Sequence, residues 1–257
     1  MIDSKDDKKE HENSKDNKSK AEKMLADERI SSGSEVIDKL LDGGYEKSCI
    51  TTIYGPAGAG KTNQTILCTI SQLKKGKKVI FVDTDGGFSF SRFKQLSPSP
   101  ELVSGIIFFR PINFGEQKKA FEDIKKIVND LEDKIGIIIV DSIAMLYRLE
   151  LGKSNDVYGV NKDLGIQLAY LIETARTKNI PVLITNQVYA DINNKEQIHM
   201  VGGDLLRYSS KCLIELRKYQ GNVRSATLRK HRSLPERKEI WFKIQQNCIE
   251  EYKQDMI

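Results

Sequence analysis

Gly55-Pro56-Ala57-Gly58-Ala59-Gly60-Lys61-Thr62 matches the phosphate-binding pattern G-x-x-x-x-G-K-[ST] without a mismatch, and its flanks match too. The stretch before it, Ser48 to Tyr54 (SCITTIY), is rich in β-branched residues and reads as a strand. Lys61 to Leu73 follows as a helix. The glycines let the backbone curl so that its N–H groups point inward around phosphate oxygens, and the helix start adds the positive end of its dipole. Candidate nucleotide contacts are therefore Gly55, Pro56, Ala57, Gly58, Ala59, Gly60, Lys61, Thr62 and the adjoining Asn63. Lys61 is expected to reach the β- and γ-phosphates, and the Thr62 hydroxyl to ligate Mg²⁺. A strand–loop–helix of this kind predicts a parallel α/β sheet.

The rest of the chain supplies the units of such a sheet. Lys77 to Asp83, Ile106 to Arg110, Ile135 to Val140 and Pro181 to Thr185 read as strands. Glu116 to Lys134 reads as a helix, because Phe121, Ile124, Ile127, Val128 and Leu131 recur three and four residues apart. A second helix is expected over Leu164 to Thr177. The unbroken apolar run IGIIIV at 135–140 predicts a central strand covered on both faces. Strand alternating with helix gives βαβ units. After Gly203 the pattern changes: Leu213–Leu216, Ser225–Leu228 and Ile240–Ile244 predict strands joined by short polar turns, an antiparallel extension.

Carboxylates at strand ends narrow the chemistry, since ligands of open α/β sheets bind at the C-terminal strand edge. Asp141 closes the run Ile137-Ile138-Ile139-Val140 and is placed to hold Mg²⁺; as a structural alternative it caps a following helix, a task Ser142 could share. Asp83 and Asp85 end another strand, and Asp85 is the better candidate for activating water. Thr185-Asn186-Gln187 ends a third, where the Gln187 amide either senses the γ-phosphate or binds backbone.

Composition sets limits. The chain has 257 residues, 39% hydrophobic and 30% charged, enough for one substantial core. No uncharged apolar run of about 18 residues is present and the N-terminus has no apolar signal region, so a cytoplasmic protein with no membrane partner is expected. Cys49, Cys68, Cys212 and Cys248 form no C-x-x-C pair and lie far from the three histidines, which argues against zinc. Residues 1–23 carry seven acids and seven lysines, with Ile2 and Ala21 as the only aliphatic residues after Met1; they read as a disordered tail ahead of an ATPase domain over 24–257.

Residues 207–243 hold eleven Lys or Arg against three acids. Within them Arg229-Lys230-His231-Arg232, extended by Arg224, is a candidate DNA-binding cluster whose affinity would fall with salt. It can also be read as a charged hairpin turn, or as a group reaching nucleotide on a neighbouring subunit. Tyr158, Asn161 and Lys162 sit in a stretch read as flexible; Arg92 and Lys94 read as a solvated helix face, and Trp241 as strand core.

Together these segments resemble the RecA-type recombinases from about Ile30 to Ile244. Ile30-Ser31-Ser32-Gly33-Ser34 and Leu40-Leu41-Asp42-Gly43-Gly44 resemble their lead-in, and Asp83-Thr84-Asp85 their Asp-Thr-Glu, whose Glu activates water. Thr185-Asn186-Gln187-Val188, Val201-Gly202-Gly203-Asp204-Leu205-Leu206 and Leu234-Pro235-Glu236 match further segments. The resemblance is to a short archaeal branch, an ATPase core without the helix-hairpin-helix domain, for which the sequence before residue 30 has no room. It implies a RecA-type core, ATP and Mg²⁺ as cofactors, and DNA, single- or double-stranded, as partner. It further implies an accessory role beside the main archaeal recombinase, as mediator or regulator of recombination and repair. The alternative is a RecA-like nucleotide switch that binds protein partners and not DNA. A small-molecule kinase would need lid arginines, which have no clear match. Three departures matter. Asp85 is one methylene shorter than Glu, so weak ATPase activity is expected. Residues 21–32 lack the family's Phe-x-x-Ala, so filament assembly of the recombinase kind is not expected, while self-association stays open. The loop at Asp191–Met200 holds one lysine and no arginine, a weak DNA reader.

Overall fold

A computed structural model of the protein describes residues 28–131, 134–190 and 198–253. The expected tail at 1–23 and most of the loop at 191–200 lie outside the described residues.

The described residues begin with a two-stranded ribbon, β1 (Arg29–Ile30) and β2 (Tyr45–Glu46), around α1 (Glu35–Leu40). The phosphate loop joins β3 (Ile50–Gly55) to α2 (Lys61–Lys74). Next come β4 (Lys78–Asp83), α3 (Phe90–Leu96), a 3-10 turn (Pro100–Gly105), β5 (Ile106–Phe109), α4 (Phe114–Leu131) and β6 (Ile135–Asp141). Helices α5 (Met145–Leu151) and α6 (Val157–Lys178) lead to β7 (Val182–Ala190), β8 (Ile198–Met200) and α7 (Gly203–Ser209). The chain then forms β9 (Cys212–Lys218), β10 (Val223–Lys230), β11 (Glu239–Ile244) and β12 (Ile249–Glu251).

The sheet order is β12-β11-β10-β9-β3-β7-β6-β4-β5, with β8 added antiparallel to β7. Pairings from β9 to β5 are parallel; those among β9, β10, β11 and β12 are antiparallel. The expected mainly parallel α/β sheet with an antiparallel C-terminal extension is the one observed.

Strand β6 shows why. Ile137 and Ile139 face one core with Val36, Ile37, Ile66, Ile70 and Phe93, so α1, α2 and α3 cover that side. Ile138 and Val140 face the other with Ile124, Leu164, Leu168, Leu171 and Leu206, from α4, α6 and α7. All four are fully buried. At about 1.5–3 kcal/mol for each such side chain, this strand anchors both layers.

Three local expectations are corrected. Helix α6 begins at Val157, because Asp156 caps it by accepting from the Gly159 N–H at 2.8 Å; Tyr158, Asn161 and Lys162 are thus helical, and Asn161 accepts from Tyr147 Oη at 2.6 Å. Arg92 is no solvated residue: its Nε donates to Asn63 Oδ1 at 2.7 Å and its Nη2 to the Gln245 carbonyl at 2.9 Å. Trp241 is half-buried, stacked on Tyr219 with ring centroids 4.3 Å apart, since alternation in β11 sends Ile240 and Phe242 inward instead. Among the described residues no helix is long and apolar enough to cross a membrane.

Candidate nucleotide-binding site

Parallel register brings the predicted residues to one sheet edge. Gly55 pairs with Gln187, and Asp83 with Asp141, so the ends of β3, β4 and β6 and the Gln187 position of β7 share one edge. Above that edge lies a cavity of about 390 Å³ lined by the loop residues Ala57, Gly58 and Gly60, by Lys61, Thr62 and Asn63, and by Asp85, Asp141 and Gln187. Ala59 is buried beneath it, and Gly55 and Pro56 supply carbonyls at its base. Gly60 has φ +101°, and a Cβ there would lie 2.8 Å from Ile244 Cδ1, so only glycine fits.

Lys61 Nζ donates to the Gly55 carbonyl at 2.8 Å and the Pro56 carbonyl at 3.0 Å. Burial lowers its pKa, while Asp141 and Asp85 oppose that shift. The ammonium is thus held in a half-dry pocket by neutral carbonyls, a setting an anionic ligand would improve.

Asp141 is 4% exposed. Its Oδ1 accepts from Thr185 Oγ1, and its Oδ2 from Thr65 Oγ1 at 3.3 Å. Burial raises its pKa; the Thr185 and Thr62 hydroxyls pull it back, and Asp85 and Asp83 push it further up. The helix after β6 has Ala144 and not Asp141 at its N-cap, and the Asp141 carboxylate faces hydroxyls and the cavity. Among the described residues no group of three or more His, Cys, Asp or Glu could hold a metal by itself. One carboxylate and one hydroxyl, Thr62, are what Mg²⁺ uses when phosphates and water complete its shell, so these residues fit Mg²⁺ carried in with ATP.

Asp83 is structural. It is buried and accepts from the Gly87 N–H at 3.0 Å and the Phe88 N–H at 3.3 Å, shaping the turn after β4. That turn exposes Asp85, whose Oδ2 accepts from Gln187 Nε2 at 3.0 Å and whose Oδ1 accepts from Ser142 Oγ at 3.3 Å. Thr84 Oγ1 donates to the Ser142 carbonyl at 2.7 Å and accepts from the Ser142 N–H at 3.0 Å, which fixes Ser142 under Asp85.

The basic cluster is divided. Arg224 lies at the start of β10 on the nucleotide cavity, and Arg229 and Lys230 lie at the strand's other end. Arg229 Nε donates to Glu215 Oε2 at 2.6 Å, and Arg232 Nε to Glu46 Oε2 at 2.6 Å. Lys230 Nζ donates to the carbonyls of Ser210 at 2.7 Å and Arg207 at 2.8 Å. His231 has a side chain only 1% exposed; its Nδ1 accepts from the Ser233 and Leu234 N–H groups at 3.1 Å each. Arg229 and Lys230, with Arg207, Tyr208 and Tyr54, line a separate cavity of about 690 Å³.

Sequence reading missed three residues that line this cavity, Asn222, Arg224 in this role and Ile244, and also Arg92, which holds the lining residue Asn63. Asn222, from the β9–β10 turn, and Arg224 and Ile244, from the antiparallel strands, reach the loop by a fold-back that leaves no motif.

The family model described as Rad51 matches residues 23–252. The DNA repair and recombination protein RadB of Methanobrevibacter smithii is 41% identical over 218 residues, 83% of this chain and 92% of that protein. The protein of the same name from Methanococcus maripaludis strain C5 is 44% identical, with 84% of this chain and 97% of that one covered. A solved structure described as the RadB recombinase matches with TM-score 0.73 at 34% identity, covering 87% of this chain and all of that one. The chain belongs to the Rad51 family, and within it is similar to the RadB proteins of DNA repair and recombination.

Proposed function

We propose that this protein binds ATP with Mg²⁺, binds DNA, hydrolyses ATP slowly, and assists the main archaeal recombinase as a mediator or regulator. The observation that carries the reading is the Asp85–Gln187 hydrogen bond of 3.0 Å, in a cavity that Lys61, Thr62 and Asp141 also line. Backbone N–H groups of the loop cradle the phosphates, and Lys61 exchanges its carbonyl partners for phosphate oxygens. Thr62 and Asp141 hold Mg²⁺, which supplies neutralisation of charge on the phosphates. Asp85 accepts the proton of the attacking water, and Gln187 holds that carboxylate in place. A carboxylate one methylene short of Glu, already bonded to Gln187 and Ser142, stands back from the water, which favours slow turnover.

For DNA, the supporting feature is the wall formed by Arg207, Arg229 and Lys230 beside Tyr208, cations that suit a phosphate backbone with an aromatic ring on which a base can stack. The ion pairs of Arg229 and Arg232 favour a second reading, a nucleotide switch with a protein partner, because paired arginines have less charge to offer phosphate. DNA binding by the full chain across a salt series, with wild type against Arg207→Ala/Lys230→Ala, separates the two. Salt-sensitive binding weakened in the variant supports the DNA reading; no binding by wild type at low salt leaves the switch.

A further inference from the structure

Arg224 is 8% exposed, and all of its hydrogen-bond partners are neutral. Its Nε donates to the Gly58 carbonyl at 3.0 Å, and its Nη1 to the carbonyls of Gly221 at 3.1 Å and Val223 at 2.8 Å. Among the described residues no carboxylate pairs with it, whereas Arg217, Arg229 and Arg232 each meet a glutamate. Buried arginines are rare unless their charge is balanced. Arg224 lines a cavity, and that cavity is the one walled by Gly58, Gly60, Lys61 and Thr62.

The fold explains how a C-terminal residue arrives there. β9 runs parallel to β3, so it ends at the edge where the phosphate loop begins. β10 returns antiparallel, so its second residue, Arg224, stands opposite Lys218 at that same edge. Gly221, at φ +60°, permits the tight return, and Tyr219 stacked on Trp241 holds the hairpin against β11. Lys218 comes near the loop as well: its Nζ lies 3.7 Å from where a Gly58 Cβ would be.

We propose that the guanidinium of Arg224 contacts the phosphates of bound ATP, making the β9–β10 hairpin part of the nucleotide site and assigning Arg224 to nucleotide and not to DNA. The inference rests on the ATP-binding reading above. In keeping with it, burial lowers the pKa of Arg224 and no acid opposes the shift. A charge held in this way gains a partner when the triphosphate enters, while its bond to Gly58 ties loop and hairpin together.

The test is equilibrium binding of ATP–Mg²⁺ to the full chain, wild type against Arg224→Gln and Arg224→Lys, with the unliganded melting temperature of each. Gln keeps a neutral donor for the Gly58 carbonyl; Lys keeps the charge. A phosphate contact predicts binding weakened about tenfold or more by Gln and largely kept by Lys, as expected for a charge-assisted bond. Equal affinities in all three proteins, or equal losses in both variants, would overturn it, since a loop brace alone does not distinguish the two substitutions. If Arg224→Gln does not fold, Arg224→Met takes its place as the neutral variant: a loss of about tenfold or more beside a largely kept affinity in Arg224→Lys supports the contact, and equal affinities or equal losses overturn it. Failure of wild type to bind ATP would instead remove the underlying reading.

Discussion

Gln187, where β7 passes the end of β3, donates from Nε2 to Asp85 Oδ2 at 3.0 Å, joining two positions that are 102 residues apart in sequence. The two groups that the motif assigns to water activation and γ-phosphate sensing are therefore in contact before any nucleotide is considered. Asp85→Asn should lower the ATP hydrolysis rate by about 10²- to 10⁴-fold, the range for loss of a general base. ATP affinity should stay within a few-fold of wild type. Single-turnover hydrolysis and equilibrium binding measured on the same preparation check this; unchanged turnover would remove Asp85 from the reaction.

Asp141 carries a stability cost. Its pKa in the folded protein is raised by burial, so the folded state holds that proton more readily than the unfolded chain does. By linkage, the ionised carboxylate destabilises the fold as pH rises through the raised value. Asp141→Asn should therefore raise the unliganded melting temperature at pH 7 while abolishing the stabilisation that Mg²⁺ adds to ATP binding. Thermal melts with and without ATP–Mg²⁺ read both effects, and a variant less stable than wild type without ligand would contradict the sign.

His231 gives a pH dependence of the opposite sense. Burial lowers its pKa; Glu46 and Asp42 oppose this, and Arg29 and Arg232 reinforce it. Its Nδ1 accepts two backbone N–H bonds, which protonation there would break. The unfolded chain thus binds this proton first, and stability should fall as pH drops below the ordinary value of 6.5 toward the lowered one. His231→Asn, which retains an acceptor for both N–H groups, should flatten the melting temperature between about pH 7 and 5. An unaltered slope would show that other groups set it.

The fold was legible because its signals are local. A run such as Ile137–Val140 reads as a central strand whatever surrounds it, and the phosphate loop fixes the strand before it and the helix after it. Carboxylates at strand tips were legible for the same reason, since parallel register carries them to one edge. What the sequence hid depends on partners far along the chain. Arg92 is held by Asn63 and the turn after β11, and Arg224 by Gly58, so neither role has a spacing to reveal it. Four basic residues in a row suggested one patch, but Glu46 and Glu215 reach Arg232 and Arg229 only through tertiary packing.

Thiol chemistry follows burial. Burial raises the pKa of Cys49 to about 11 and pushes Cys68 and Cys212 well up, while Cys248 is exposed. A thiol-reactive disulfide should modify one cysteine quickly in the native protein and the other three only on unfolding. Mass spectrometry should place the fast label on Cys248; rapid labelling of the buried Cys49 would indicate that the structure around it opens.

The central claim is that the cavity over the sheet edge is an ATP site in which Lys61 engages the phosphates. Calorimetric titration of ATP–Mg²⁺ into the full-length protein, beside Lys61→Ala, tests it most directly. The account predicts saturable binding at one site per chain in the wild type and its loss in the variant, with the fold intact by melting temperature. No saturable binding in the wild type, or binding unchanged by Lys61→Ala, would contradict it.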